Sequence, residues 1–169
     1  SHSVESREAA AASMLGFPNF IGIAQPLPYW FCLFSAIPLG CVAAILEALA
    51  TPSPASPALR LRLSEALMRY ESLRAYLVET AGRWRAGAGP TYAARVLRTK
   101  TYVTQESAKL AAELFALSGG RQYSRTSAVA RRFADTFAGT SLRPPLALAL
   151  DALVESFPPE LPLEPMRDV

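Results

Sequence analysis

From Ala9 to Leu46 the chain carries no charged residue. A stretch that long and that uncharged has to be hidden from water, in a core, a subunit junction or a bilayer. Pro18, Pro26, Pro28 and Pro38 interrupt it, Asn19 and Gln25 lie among them, and no basic cluster flanks either end. A membrane span calls for ~20 apolar residues with an asymmetric basic flank. The expectation is therefore a helix buried inside a bundle or a subunit interface rather than in a membrane.

Proline and glycine divide the rest of the chain. The first helix is predicted over Tyr29 to Ala50, with Pro28 at its start, a kink at Pro38 and close packing at Gly40. "TPSPASP", Thr51 to Pro57, stops it. The second helix is predicted over Ala58 to Ala86, because Leu63, Leu67, Tyr70, Leu73, Leu77, Ala81 and Trp84 recur at spacings of three and four. Trp30 and Trp84 are expected to anchor a core or an interface. "GAGP", Gly87 to Pro90, separates it from a third helix over Thr91 to Ser118, whose stripe is Val96, Val103, Leu110, Leu114 and Leu117. Gly119 is placed to end that helix in a left-handed conformation. A short helix around Ser127 to Asp135, a break at Ala138 to Pro145 and a last helix from Pro144 to Phe157 follow.

No segment alternates apolar and polar residues with β-branched enrichment, so no strand is predicted. The fold class is all-α: an up-down four-helix bundle with extra short C-terminal helices. Residues 1–28 read as an irregular segment pressed onto a surface, 29–157 as the bundle, and 158–169 as a proline-rich, frayed tail.

Several kinds of chemistry drop out. The formal charge of +3 is modest, and the basic residues are scattered without interleaved aromatics, which argues against nucleic acid as a partner. His2 is the only histidine, so histidine triads and histidine-ligated metals are excluded and no metal site is expected. Cys32 and Cys41 fall on one predicted helix ~13 Å apart, too far for a bridge. Free buried thiols fit a reducing, cytoplasmic setting. With 51% hydrophobic and only 18% charged residues, the chain is expected to hide apolar surface in a partner as well as in itself.

"LRTKTYVTQESAKLAAELFALSGGRQYSRTSAVARRFAD", Leu97 to Asp135, resembles the C-terminal helical domain of acyl-CoA dehydrogenases. Lys100, Gly119, Gly120, Tyr123, Arg131 and Asp135 stand where that family carries an early lysine, a Gly-Gly pair, an aromatic, and a helix with an arginine and an aspartate. "RYESLRAYLVETAGRW", Arg69 to Trp84, is similar to the same domain, especially in the branch shared with flavin-dependent monooxygenases. The resemblance covers roughly residues 28 to 155.

It implies a bundle that forms the back of an FAD site and assembles homodimers or homotetramers. The Gly-Gly turn would lie against the dinucleotide half of an FAD shared with another domain or subunit. Glycine lets backbone N–H groups approach a pyrophosphate, and Arg121, Arg125, Arg131 and Arg132 lie near in sequence. Adjacent helical residues point ~100° apart, so at most one of Arg131 and Arg132 enters a site. The implied cofactor contacts are Gly119, Gly120, Arg121, Arg131 and, aligning "AGT" with the family's flavin-contacting threonine, Thr140. Tyr123 either stacks on an adenine or plugs the bundle end, the latter being favoured.

The chain departs from the family pattern in three places. Ala138 stands where the dehydrogenases carry their catalytic glutamate, and no Asp or Glu lies between Asp135 and Asp151. An alanine accepts no proton, so a base for α,β-dehydrogenation must come from elsewhere. Glu47 is the only carboxylate on the first helix, and a surface role is expected for it. Ala116 replaces a glutamine, and the linker replaces a flavin-contacting arginine. The N-terminal flavin- and acyl-binding portion of a complete enzyme is missing, so the chain alone is expected to be inactive. Two functions stand: the C-terminal part of an FAD-dependent oxidoreductase, or a non-catalytic helical dimerisation module.

Overall fold

The computed structural model describes residues 30–51, 54, 56–85, 88–124, 126–142 and 144–157. The expectations for residues 1–28 and for the tail lie outside them. Five α-helices are described: α1 (Trp30–Ala50), α2 (Pro57–Gly82), α3 (Pro90–Leu117), α4 (Ala128–Ser141) and α5 (Leu146–Glu155), with a 3-10 turn at Gly120–Tyr123 between α3 and α4. Among the described residues there is no strand.

The helix starts follow local chemistry. Ser56 accepts the Leu59 N–H at 3.4 Å, and Pro57 follows it at the first helical position. Gly89 and Pro90 open α3 in the same order. Ser127 accepts the Ala130 N–H at 3.2 Å and opens α4. Each such cap is worth about 1 kcal/mol.

The bundle runs up, down, up, down. Val42, Ile45 and Leu46 of α1 meet Leu63 and Ala66 at the start of α2, Leu110 and Leu114 at the end of α3, and Val129 at the start of α4. Cys32 and Leu39 meet Leu73 and Leu77 late in α2, and Tyr92 and Val96 early in α3. Hence α1 and α3 run parallel, and α2 and α4 run opposite to them. The α1–α3 pair forms the short diagonal, α2 and α4 rest on it from either side, and α5 packs on α3. Val96, Val103, Leu110 and Leu114 are fully buried, each contributing about 1.5–3 kcal/mol.

Several sequence expectations are corrected. The stripe of α2 is Leu63, Ala66, Leu73, Leu77 and Thr80, whereas Leu67 is 46% and Trp84 40% exposed. The helix ends at Gly82, so Trp84 lies beyond it. Likewise Leu117, in the final turn of α3, is exposed. Within the chain α1 is buried on one side, with Leu33 and Ile37 exposed on the other, the side left for the expected subunit interface. The break expected from Ala138 starts later, at Leu142, since the helix before it runs to Ser141 and the next begins at Leu146. Gly139 is there because a Cβ at that position would lie 2.7 Å from Pro38 Cγ. It is a packing glycine inside a helix, not a turn.

α1 is long and apolar enough to cross a membrane, with a mean hydropathy of 2.1 in its best window. The same helix packs against α2, α3 and α4. Cys32 and Cys41 are both free and buried, as expected.

Candidate functional site

The antiparallel order brings the end of α1, the start of α2, the end of α3 and the start of α4 to one end of the bundle. The Gly-Gly turn lies there. Ser118 caps α3 in a right-handed conformation, and Gly119 follows with φ 78° and ψ 168°. The positive φ matches expectation, but the extended ψ takes Gly119 out of the left-handed helical turn and into a region that is essentially glycine's alone. No heavy atom lies within 4 Å of where a Cβ would stand on Gly119 or Gly120. Among the described residues, no carbonyl accepts either glycine's N–H. The turn thus offers two adjacent free backbone donors in open space.

Its flanks are held. Gln122 N–H donates to Gly119 O at 3.1 Å, and Ser127 Oγ donates to Gln122 Oε1, tying the turn to the start of α4. Tyr123 is 71% exposed, its ring 4.9 Å from Phe115. It leans on the bundle rather than plugging it.

The arginines at this end differ in their pairing. Arg62 binds Glu65 and Arg69 binds Glu113, while Arg132 lies 3.8 Å from Asp135. Arg131, on the first turn of α4, has no ion pair among the described residues. It lines a shallow cavity of about 380 Å³ with Ala128, Arg132 and Asp135. The side chains of Arg121 and Arg125 lie outside the described residues. Nearby, an apolar cleft of about 480 Å³ opens between α1 and α2, floored by Leu46, Leu63 and Leu67 and rimmed by Glu47 and Arg60. Glu47 is on the surface, as expected.

Thr140 does not join this group. It sits in the last turn of α4, nine residues beyond Arg131 and therefore about 13 Å further along the helix. Its hydroxyl donates to Phe137 O at 2.7 Å. Gly119, Gly120 and Arg131 share one end of the bundle; Thr140 belongs to the other.

A polar belt also lies between the two apolar clusters. Lys100 is fully buried, and its Nζ donates to Gly139 O at 3.1 Å. It caps the C-terminus of α4 from the neighbouring helix, where a cation opposes the negative dipole end. Among the described residues no carboxylate accompanies it, and burial pushes its ammonium below the ordinary lysine range. Thr80 and Thr99 share a buried hydrogen bond of 2.9 Å, while the buried hydroxyls of Thr104 and Ser107 have no partner among the described residues. Sequence reading counted Lys100 only as a family position. Its phase was the available signal, because it stands between Val96 and Val103 on a face that is otherwise buried.

The model of the acyl-CoA dehydrogenase C-terminal domain family matches residues 44–142, more than half of the chain, from the middle of α1 to the end of α4. No curated protein and no solved structure matches it.

Proposed function

The chain belongs to the acyl-CoA dehydrogenase C-terminal domain family, and on that premise we propose that it is the helical wall of an FAD site in a flavin-dependent oxidoreductase. The observation that carries this reading is the open Gly-Gly turn, with two free amides and the unpaired Arg131 at the same end. Backbone donors and a guanidinium suit a pyrophosphate. Gly119, Gly120, Arg121 and Arg131 would hold the dinucleotide phosphates, and Tyr123 would flank the adenosine. Bound FAD would supply hydride or oxygen chemistry. The chain itself binds, orients and excludes water.

The position where the family carries its catalytic glutamate supplies no base here. Ala138 is an exposed alanine on α4, and no carboxylate lies between Asp135 and Asp151. Two reaction classes fit that pattern: oxidoreduction of an acyl thioester with a base from another segment, and flavin-dependent oxygenation, which needs none. The outer face of α1, with Trp30 44%, Leu33 57% and Ile37 48% exposed, is the surface for self-association into a homodimer or homotetramer, or for a preceding flavin- and acyl-binding portion. The same face supports the second reading, a helical interaction module without chemistry, which the missing carboxylate favours.

Flavin uptake tests the proposal. The chain, alone and co-expressed with the product of its flanking coding sequence, is dialysed against FAD and its visible absorbance recorded. Retained flavin that is lost in Gly119→Val supports the site. A colourless protein in both preparations leaves the interaction module.

A further inference from the structure

The last helix leaves its outward face uncovered. α5 packs on α3, and Ala149 is its fully buried residue. On the other side Leu148 and Val154 are 60% and 79% exposed. Asp151 and Glu155 are exposed as well, one turn apart, and neither has an ion pair among the described residues. The helix carries no basic residue. A helix of 10 residues is marginal by itself in water, so its apolar side calls for cover.

The outer seam of α2 and α3 carries the opposite charge. Arg95 lies over the Tyr76 ring at 5.6 Å, and Tyr102 meets that ring edge-on at 5.9 Å. Glu79 binds both Arg83 and Arg95, and it is the only carboxylate between Glu71 and Glu106. Arg98, three residues after Arg95 and four before Tyr102, shares their face of α3 and has no ion pair among the described residues. Tyr102 is 50% exposed, and beside it Met68 and Leu73 wall a hollow of about 240 Å³.

We propose that α5 of one copy of this chain docks on the α2–α3 seam of a second copy. The charges are complementary: two unpaired carboxylates face one unpaired guanidinium and two more that share a single partner. The spacing agrees, since Asp151 and Glu155 stand one turn apart, as do Arg95 and Arg98. The apolar side chains of α5 meet tyrosine rings and the hollow beside them, and tyrosine and arginine are residue types that anchor protein interfaces. With 10 residues α5 is about 15 Å long, and the stretch of α3 from Arg95 to Tyr102 spans about 10 Å, so one helix covers the patch. The two surfaces differ, so the contact is head-to-tail: each copy offers α5 to one neighbour and the seam to another. It leaves the uncharged face of α1 for a separate contact.

Charge reversal on either side, with sedimentation velocity of the full chain, tests this. One variant is Asp151→Arg/Glu155→Arg and the other Arg83→Glu/Arg98→Glu, with circular dichroism to check that each folds; Arg98→Glu alone takes the place of the second if it does not. Within each variant the two surfaces now carry like charge, so self-association weakens about tenfold, the scale of two exposed pairs turned from attraction to repulsion. In an equal mixture of the two variants both contacts again join opposite charges, and the wild-type sedimentation returns. Association unchanged in both variants overturns the proposal. So does association that is lost in each and not regained on mixing.

Discussion

Gly139 and Lys100 meet where α3 and α4 pack on α1 beside Pro38. Gly139 presents its bare Cα to Pro38 and its carbonyl to Lys100. Gly139→Ala would drive a methyl into the Pro38 ring, and overpacking of this kind costs about 1–3 kcal/mol. A drop of that size in urea-denaturation stability, with helicity retained, is the expected outcome. Lys100 makes a prediction of opposite sign. Burial lowers its folded-state value from 10.5. Between that lowered value and 10.5, the unfolded chain holds a proton that the folded chain has released, so stability rises with pH across the window. Lys100→Met removes the ammonium and should flatten the rise. A wild-type midpoint that falls with pH in that range, while the variant stays level, would contradict the assignment. Gly119 is the third such residue: Ala at φ 78° and ψ 168° is strained by about 1–3 kcal/mol.

The helices themselves were largely legible in the sequence, and the reason is chemical. Ser56-Pro57, Gly89-Pro90 and Ser127 are start signals that act locally, so they hold whatever packs later. Ser127→Ala should cost about 1 kcal/mol, read as a lower thermal midpoint, because Ala130 N–H loses its acceptor. The α3 stripe was legible down to Leu114 because a strictly spaced apolar row can face only a core. Faces decided by more than one neighbour were not legible. Leu67 shares the phase of Leu63, yet it is left exposed where α1 and α2 part to form the cleft. Gly139 looks like a turn residue until Pro38 is known to press on it. The buried Thr104 and Ser107 break the rule that polar residues face water, and only the three-dimensional stacking reveals them. The Gly-Gly turn was legible as a site, but not its ψ, nor the distance that separates Thr140 from it.

For the molecule as a whole, an uncovered apolar face follows α1. Leu33 and Ile37 stand 57% and 48% exposed on a helix without a single charge before Glu47. Leu33→Lys/Ile37→Glu should shift the sedimenting species towards monomer while circular dichroism stays unchanged. An unaltered oligomer would move the interface elsewhere. The α1–α3 diagonal has a further consequence. The outer rods α2 and α4 share no face of their own, so any displacement of one is felt by the other only through the central pair. Gly139 leans on the Pro38 ring, so the width of that one ring sets how near the α4 flank can stand to the central pair.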